Sequence, residues 1–184
     1  MRGFSHFLLC KISGWKLDGE IDASVKKCVI IVAPHTSWFD FFTGLLVRNI
    51  LGLQIDFVAK KELFQAPFGW YFKWVGGTPL DRTPKQNKVE TIAGIFKSRP
   101  VFRLALSPEG TREKVRNWKT GFYYIAKEAE VPIIMVSFDY KKKIVRFSEP
   151  FYTSNDKEKD FSKIRKFYQD VQGKNPEKFE MPLI

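Results

Sequence analysis

Residues 28–51 read CVIIVAPHTSWFDFFTGLLVRNIL. The first six are apolar and mostly β-branched, the composition of a strand buried on both faces. From Ser37 onward the apolar positions take helical spacing, with a capping serine at the start and Gly52 just past the end. Strand, polar turn and helix in direct succession form the unit from which α/β layers are built. Apolar β-rich runs recur at 54–59, 101–106, 132–138 and 144–147, with helical spacing at 85–97 and 120–129 between them. The alternation predicts an α/β fold class: a mixed, largely parallel sheet flanked by helices, one layer-packed domain over 1–184. No repeat, low-complexity tract or linker marks a second boundary. The charged segment 160–171 reads as a solvated C-terminal helix. In this architecture ligands gather where strands turn into helices, so function is expected in those turns.

The 184 residues are 44% hydrophobic and 28% charged, ordinary globular composition that argues against a disordered or fibrous chain. Thirty-one Lys and Arg against 20 Asp and Glu leave +11, which points to an anionic partner: nucleic acid, a membrane surface or a phosphorylated molecule. Aromatic residues reach 16%, 18 of them Phe, more than one core of this size needs. Cys10 and Cys28 form no CxxC, and with His6 and His35 they cannot supply a metal centre, so no metal is expected. A reducing compartment fits the two cysteines. No apolar stretch reaches the ~20 residues that cross a bilayer. Residues 1–17 place Phe4, Phe7, Leu8, Ile12 and Trp15 near one side of a helix, with Arg2, Ser5, Lys11 and Lys16 elsewhere. That is the pattern of an interfacial helix, and equally of one packed on the protein's own core.

Three turns carry chemistry. In the first, His35 stands at a strand end and Asp40, five residues on, at a helix start, so that the carboxylate can orient the imidazole as a general base. No GxSxG elbow supplies a nucleophile, and the attacking hydroxyl can belong to the substrate. The alternative is that His35 caps the helix and Asp40 faces solvent. In the second, Lys60 closes a strand and Arg82 closes a glycine-led extended segment, positions from which cations can converge on a phosphate. In the third, Ser107-Pro108-Glu109-Gly110-Thr111-Arg112 follows a strand. There Gly110 lets backbone approach a ligand, Thr111 offers a hydroxyl and Arg112 can grip an oxyanion bidentately. Residues 97–119 around this turn carry seven basic residues against two acidic ones, the most basic stretch of the chain.

Taken in this order, the clusters resemble the glycerolipid acyltransferase family, the enzymes similar to lysophosphatidic acid acyltransferase. The resemblance rests on His35, Ser37 and Asp40, on Lys60-Lys61-Glu62-Leu63 with the segment 77–82, on Pro108-Glu109-Gly110-Thr111-Arg112, and on Val131-Pro132-Ile133-Ile134. It spans roughly 28–137. It implies that His35 is the base and Asp40 its orienter, that Lys60, Arg82 and Arg112 hold phosphate, and that Glu109 and Gly110 shape the acceptor pocket. It implies direct attack of a lysophospholipid hydroxyl on an acyl-CoA or acyl carrier protein thioester, with no acyl-enzyme and no cofactor. Pro34, Ser107 and Met135 depart from residues frequent in the family, all on the acceptor side. Members usually carry longer N-terminal hydrophobic helices. Here residues 1–17, the basic surface and the aromatics near Trp70 imply a cytoplasmic enzyme, peripheral on the inner face of an anionic membrane.

Two other readings compete. A nucleic-acid-binding module would account for charge and aromatics, but the cations are dispersed and no RNP, KH or helix-turn-helix pattern accompanies them, so no nucleic-acid partner is expected. A catalytically dead lipid-binding relative is disfavoured because His35 and Asp40 are both present.

Overall fold

The computed structural model describes residues 2–65, 67, 69–80 and 88–182. In chain order the elements are α1 (Arg2–His6), continued by a π-helical turn (Phe7–Ile12), β1 (Lys16–Asp18), β2 (Lys27–Ala33), α2 (Phe39–Leu51), β3 (Asp56–Lys60), α3 (Gly69–Trp74) and β4 (Gly77–Leu80). They continue as α4 (Lys88–Ser98), β5 (Phe102–Leu106), α5 (Gly121–Glu128), β6 (Ile133–Asp139), β7 (Ile144–Phe147) and α6 (Lys157–Tyr168). Seven strands form one sheet in the order β1-β7-β6-β2-β5-β3-β4. Every neighbouring pair is parallel except β6 and β7. This is the mixed, largely parallel α/β sheet expected from the sequence. The C-terminal ends of β2, β5, β3 and β4 therefore share one edge, and the turns that carry His35 and Glu109 leave the sheet there.

Period-2 alternation divides the core between the two faces. Val29, Ile31, Phe102, Leu104, Ile133 and Met135 pack against α4, α5 and α6 on one face. Cys28, Ile30, Ile134, Val136 and Phe138 meet Leu9, Trp15 and Val47 on the other. Each fully buried aliphatic or aromatic side chain among these contributes about 1.5–3 kcal/mol relative to its exposed state. The C-terminal helix is not a solvated appendage. Asp156 caps it by accepting from the Lys159 N–H at 3.0 Å, and Phe161, Ile164 and Tyr168 are buried.

The N-terminal stripe is split. Of its members Trp15 is buried and Leu8 half-buried, whereas Phe4, Phe7 and Ile12 are exposed, and the residue that packs inward from the helix is Leu9, outside the stripe. The cause is local: the π-helical turn takes more residues per revolution than an α-helix, so side chains in phase at 3.6-residue spacing drift apart. Arg2 ties this helix to the far end of α2, donating to the Ile50 and Leu51 carbonyls at 3.0 and 2.9 Å.

Candidate active site

The chain turns sharply after β2, and α2 begins at Phe39, which puts Asp40 in the first helical turn, where the helix dipole favours a carboxylate. Asp40 is buried at 3% exposure. Its Oδ2 accepts from the backbone N–H groups of Thr36 and Ser37, each at 2.9 Å, and lies 3.1 Å from His35 Nδ1. Asp40 thus faces the imidazole, not solvent. With Nδ1–H donating to the carboxylate, the ring's other nitrogen keeps its lone pair for a proton.

Glu109 closes the site from behind. Buried at 4% exposure, it accepts through Oε2 from the His35 backbone N–H at 2.8 Å and from the Ser107 hydroxyl at 2.9 Å. Burial pushes its carboxyl up to about 7, against the downward pull of the Ser107 and His35 hydrogen bonds. The glutamate of the third turn therefore supports the histidine of the first, and Ser107 is its second ligand. Gly110 sits in the left-handed region at φ +67°, closing the turn. The Thr111 hydroxyl is exposed and accepts from the Glu113 N–H at 3.3 Å.

Arg112 stacks on Trp38, its guanidinium carbon 3.9 Å from the ring centroid. Its Nε is buried and finds no hydrogen-bond partner among the described residues. A buried guanidinium N–H without an acceptor is costly unless an anion completes it. Lys60 ends β3, next to β5 in the sheet, and β4 ends at Leu80 on the same edge. Arg82 lies outside the described residues.

A cavity of about 360 Å³ opens beside His35. His35, Asp40, Trp38, Ser107 and Arg112 line it at one end, and Ile30, Val32, Val47, Phe57, Val136 and Phe138 make its body, a largely apolar slot between α2 and the sheet with Arg48 and Asp56 also on its wall. Gly44 of α2 faces the sheet here: a Cβ at this position would reach ordinary contact distance, 3.8 Å, from Phe138 Cζ. The structure thus brings His35, Asp40, Ser107 and Arg112 together, with Glu109 touching His35 from outside the cavity.

Two groups had no place in the sequence reading. The Tyr140 hydroxyl donates to Asp40 Oδ1 at 2.7 Å. Its signal was periodicity, since Val136, Phe138 and Tyr140 alternate onto one face. The segment after α6 covers the turn that carries His35: Asn175 N–H and Nδ2 donate to Thr36 Oγ1 and O at 3.1 and 2.8 Å. A Cβ at Gly173 would stand 2.8 Å from Thr36 Oγ1 and 3.0 Å from Pro34 Cβ, so only glycine fits against that turn.

An imidazole aimed by a buried carboxylate, at the mouth of an apolar slot and beside a guanidinium whose Nε has no partner among the described residues, has the groups needed to move a proton next to an apolar chain and an anion. The sequence matches the family described as Acyltransferase over residues 16–139, and the chain belongs to that family. It is 33% identical over 112 residues to a 1-acyl-sn-glycerol-3-phosphate acyltransferase of Streptococcus pneumoniae, covering 59% of this chain and 40% of that protein. It is 32% identical over 113 residues to one of Bacillus subtilis, covering 59% and 54%. The human 1-acyl-sn-glycerol-3-phosphate acyltransferase beta is 29% identical over 136 residues, covering 70% and 47%. The chain thus spans about half or less of the length of these relatives. The crystal structure of the 1-acyl-sn-glycerophosphate (LPA) acyltransferase PlsC from Thermotoga maritima shares the fold, with a TM-score of 0.62 at 19% identity over 90% of this chain and 74% of that one.

Proposed function

We propose that this protein transfers a fatty acyl group from an acyl thioester, acyl-CoA or acyl carrier protein, to the hydroxyl of a lysophospholipid, foremost 1-acyl-glycerol-3-phosphate, in phospholipid biosynthesis. The observation that carries the reading is the His35–Asp40 pair, 3.1 Å apart, at the mouth of the apolar slot beside the unpartnered Arg112 Nε. The slot takes a fatty chain and Arg112 takes phosphate; Lys60 and Arg82 are the further phosphate-binding cations that the family resemblance implies. Glu109 and Gly110 build the acceptor side through the turn they form, and Thr111 closes it.

His35 accepts the proton of the acceptor hydroxyl as its oxygen forms a bond to the thioester carbonyl carbon. Asp40 stabilises the imidazolium. The carbon–sulfur bond then breaks, and the imidazolium returns its proton to the departing thiolate. No covalent acyl-enzyme and no cofactor enters this sequence.

Phe4, Phe7 and Ile12 on the N-terminal helix, Phe39 and Phe42 at the head of α2, and Trp70 and Trp74 on α3 are exposed. With a net charge of +11 they support peripheral attachment to the inner face of an anionic membrane. No helix among the described residues is long and apolar enough to cross one. The decisive experiment is His35→Ala assayed with a panel of acyl-CoA and acyl carrier protein donors against phosphorylated and non-phosphorylated lyso-lipids. Transfer is expected to fall by about a hundredfold or more with the fold retained; turnover like the unmodified protein's refutes the base assignment.

A further inference from the structure

Asp40 has two carboxylate oxygens, and His35 uses one of them. Oδ2 meets the imidazole and two backbone N–H groups, whereas Oδ1 is met by the Tyr140 hydroxyl at 2.7 Å. The terminal torsion of an aspartate is broad, so donors on one oxygen leave the carboxylate plane soft, and a donor on the other fixes it.

Tyr140 comes from the far side of the sequence and is itself held. Its backbone N–H donates to the Gln172 carbonyl at 2.8 Å. Its ring meets that of Trp15 edge to face, with centroids 4.8 Å apart and planes at 87°. Trp15 is 7% exposed, and its N–H, donating to the Leu9 carbonyl at 3.0 Å, closes the N-terminal helix. Burial, then the Asp40 carboxylate, push the Tyr140 phenol well above its ordinary range, so it remains a donor throughout the working pH range. Residues 15 and 140 stand just outside the family match at 16–139. An unbroken line of contacts thus runs from the helix that carries the exposed Phe4, Phe7 and Ile12 to the ring of His35.

We propose that Tyr140 is a positioning residue for the His35–Asp40 pair, and that Trp15 holds Tyr140 in place, so that the N-terminal helix governs the aim of the base. The turnover arm of its test rests on the acyltransferase reading; the titration arm does not.

Tyr140→Phe removes the hydroxyl and keeps the ring against Trp15. Asp40 then has less of its charge neutralised and holds a proton on the imidazole more strongly. The other charged groups at His35, Glu109 behind its backbone and Arg112 across the cavity mouth, are unchanged. The expected result is a kcat about tenfold lower, KM values for thioester and acceptor within about twofold, and the acid limb of the rate profile displaced upward by about half a pH unit. The chain has only two histidines, so NMR titration follows His35 directly with the exposed His6 as internal reference; the His35 midpoint is expected to rise by the same amount. A His35 titration identical to the unmodified protein's overturns the proposal whatever the activity does. Trp15→Leu, made in the full chain, is expected to move the titration in the same direction by less, while binding to vesicles of anionic phospholipid persists. No movement there overturns the role of Trp15, and this variant carries the test if Tyr140→Phe does not fold. An unmodified protein inactive toward thioester and lyso-lipid would sink the acyltransferase reading and leave the titrations to decide the positioning role.

Discussion

Replacing Glu109 by Gln removes a titrating group from the wall behind His35 while keeping its shape. Glu109 is buried, and burial outweighs its hydrogen bonds from Ser107 and His35, so its carboxyl titrates at about 7 in the folded protein against an ordinary 4.5. Below 4.5 it is protonated in both folded and unfolded chains. Between 4.5 and 7 the unfolded chain releases the proton and the folded one keeps it, so the unfolded state binds fewer protons and stability falls as pH rises. Above 7 both are ionised and the slope ends. At about 1.4 kcal/mol per pH unit, the loss across this window is about 3 kcal/mol. Asp56, also raised by burial, slopes the same way, but it is common to both proteins and cancels in their difference. Urea unfolding of wild type and Glu109→Gln, in half-unit steps from pH 4 to 8, should show the wild type losing about 3 kcal/mol relative to the variant, all of it between 4.5 and 7.5. Two parallel stability curves would refute the assignment of Glu109 as a buried, proton-holding carboxyl.

Two further outcomes follow from the cavity and its mouth. Trp38→Ala takes away the surface on which the Arg112 guanidinium lies; a cation–π contact of about 0.5–2 kcal/mol predicts a KM for a phosphorylated acceptor raised about two- to thirtyfold with kcat little changed, and steady-state kinetics showing an unaltered KM would count against it. Gly44→Leu drives a side chain from α2 toward Phe138 across the apolar slot, so kcat/KM for the longest accepted thioester should drop about tenfold while short thioesters are spared, as measured across a chain-length series.

The long periodic elements were legible in the sequence. The β2 strand, the α2 helix, and the β5 and β6 strands lie within two residues of where their apolar patterns put them, because each is buried enough for its side-chain period to dominate. The edge strand β1 left no such trace, since three residues offer too few alternations to read, whereas β4 showed only as part of the glycine-led extended segment at 77–82. Of the site, His35 with Asp40 was readable because five residues of spacing bridge a strand end and a helix start. The pairing of Glu109 with the His35 N–H joins residues 74 apart, and that of Tyr140 with Asp40 joins residues 100 apart. Both depend on β2 lying between β5 and β6, a strand order that local spacing does not encode. The slot was hidden for a related reason: its walls look like ordinary core until Gly44 is known to face Phe138.

The helix α2 does two jobs with one rigid body. Its first turn carries the carboxylate that steers the imidazole, and its next turns roof the slot. A guest too bulky for that space lifts the roof, and in lifting it rotates the steering group as well. In the proposed reaction, misfit far inside the protein is therefore reported at His35, and discrimination between guests should be written in turnover more than in affinity.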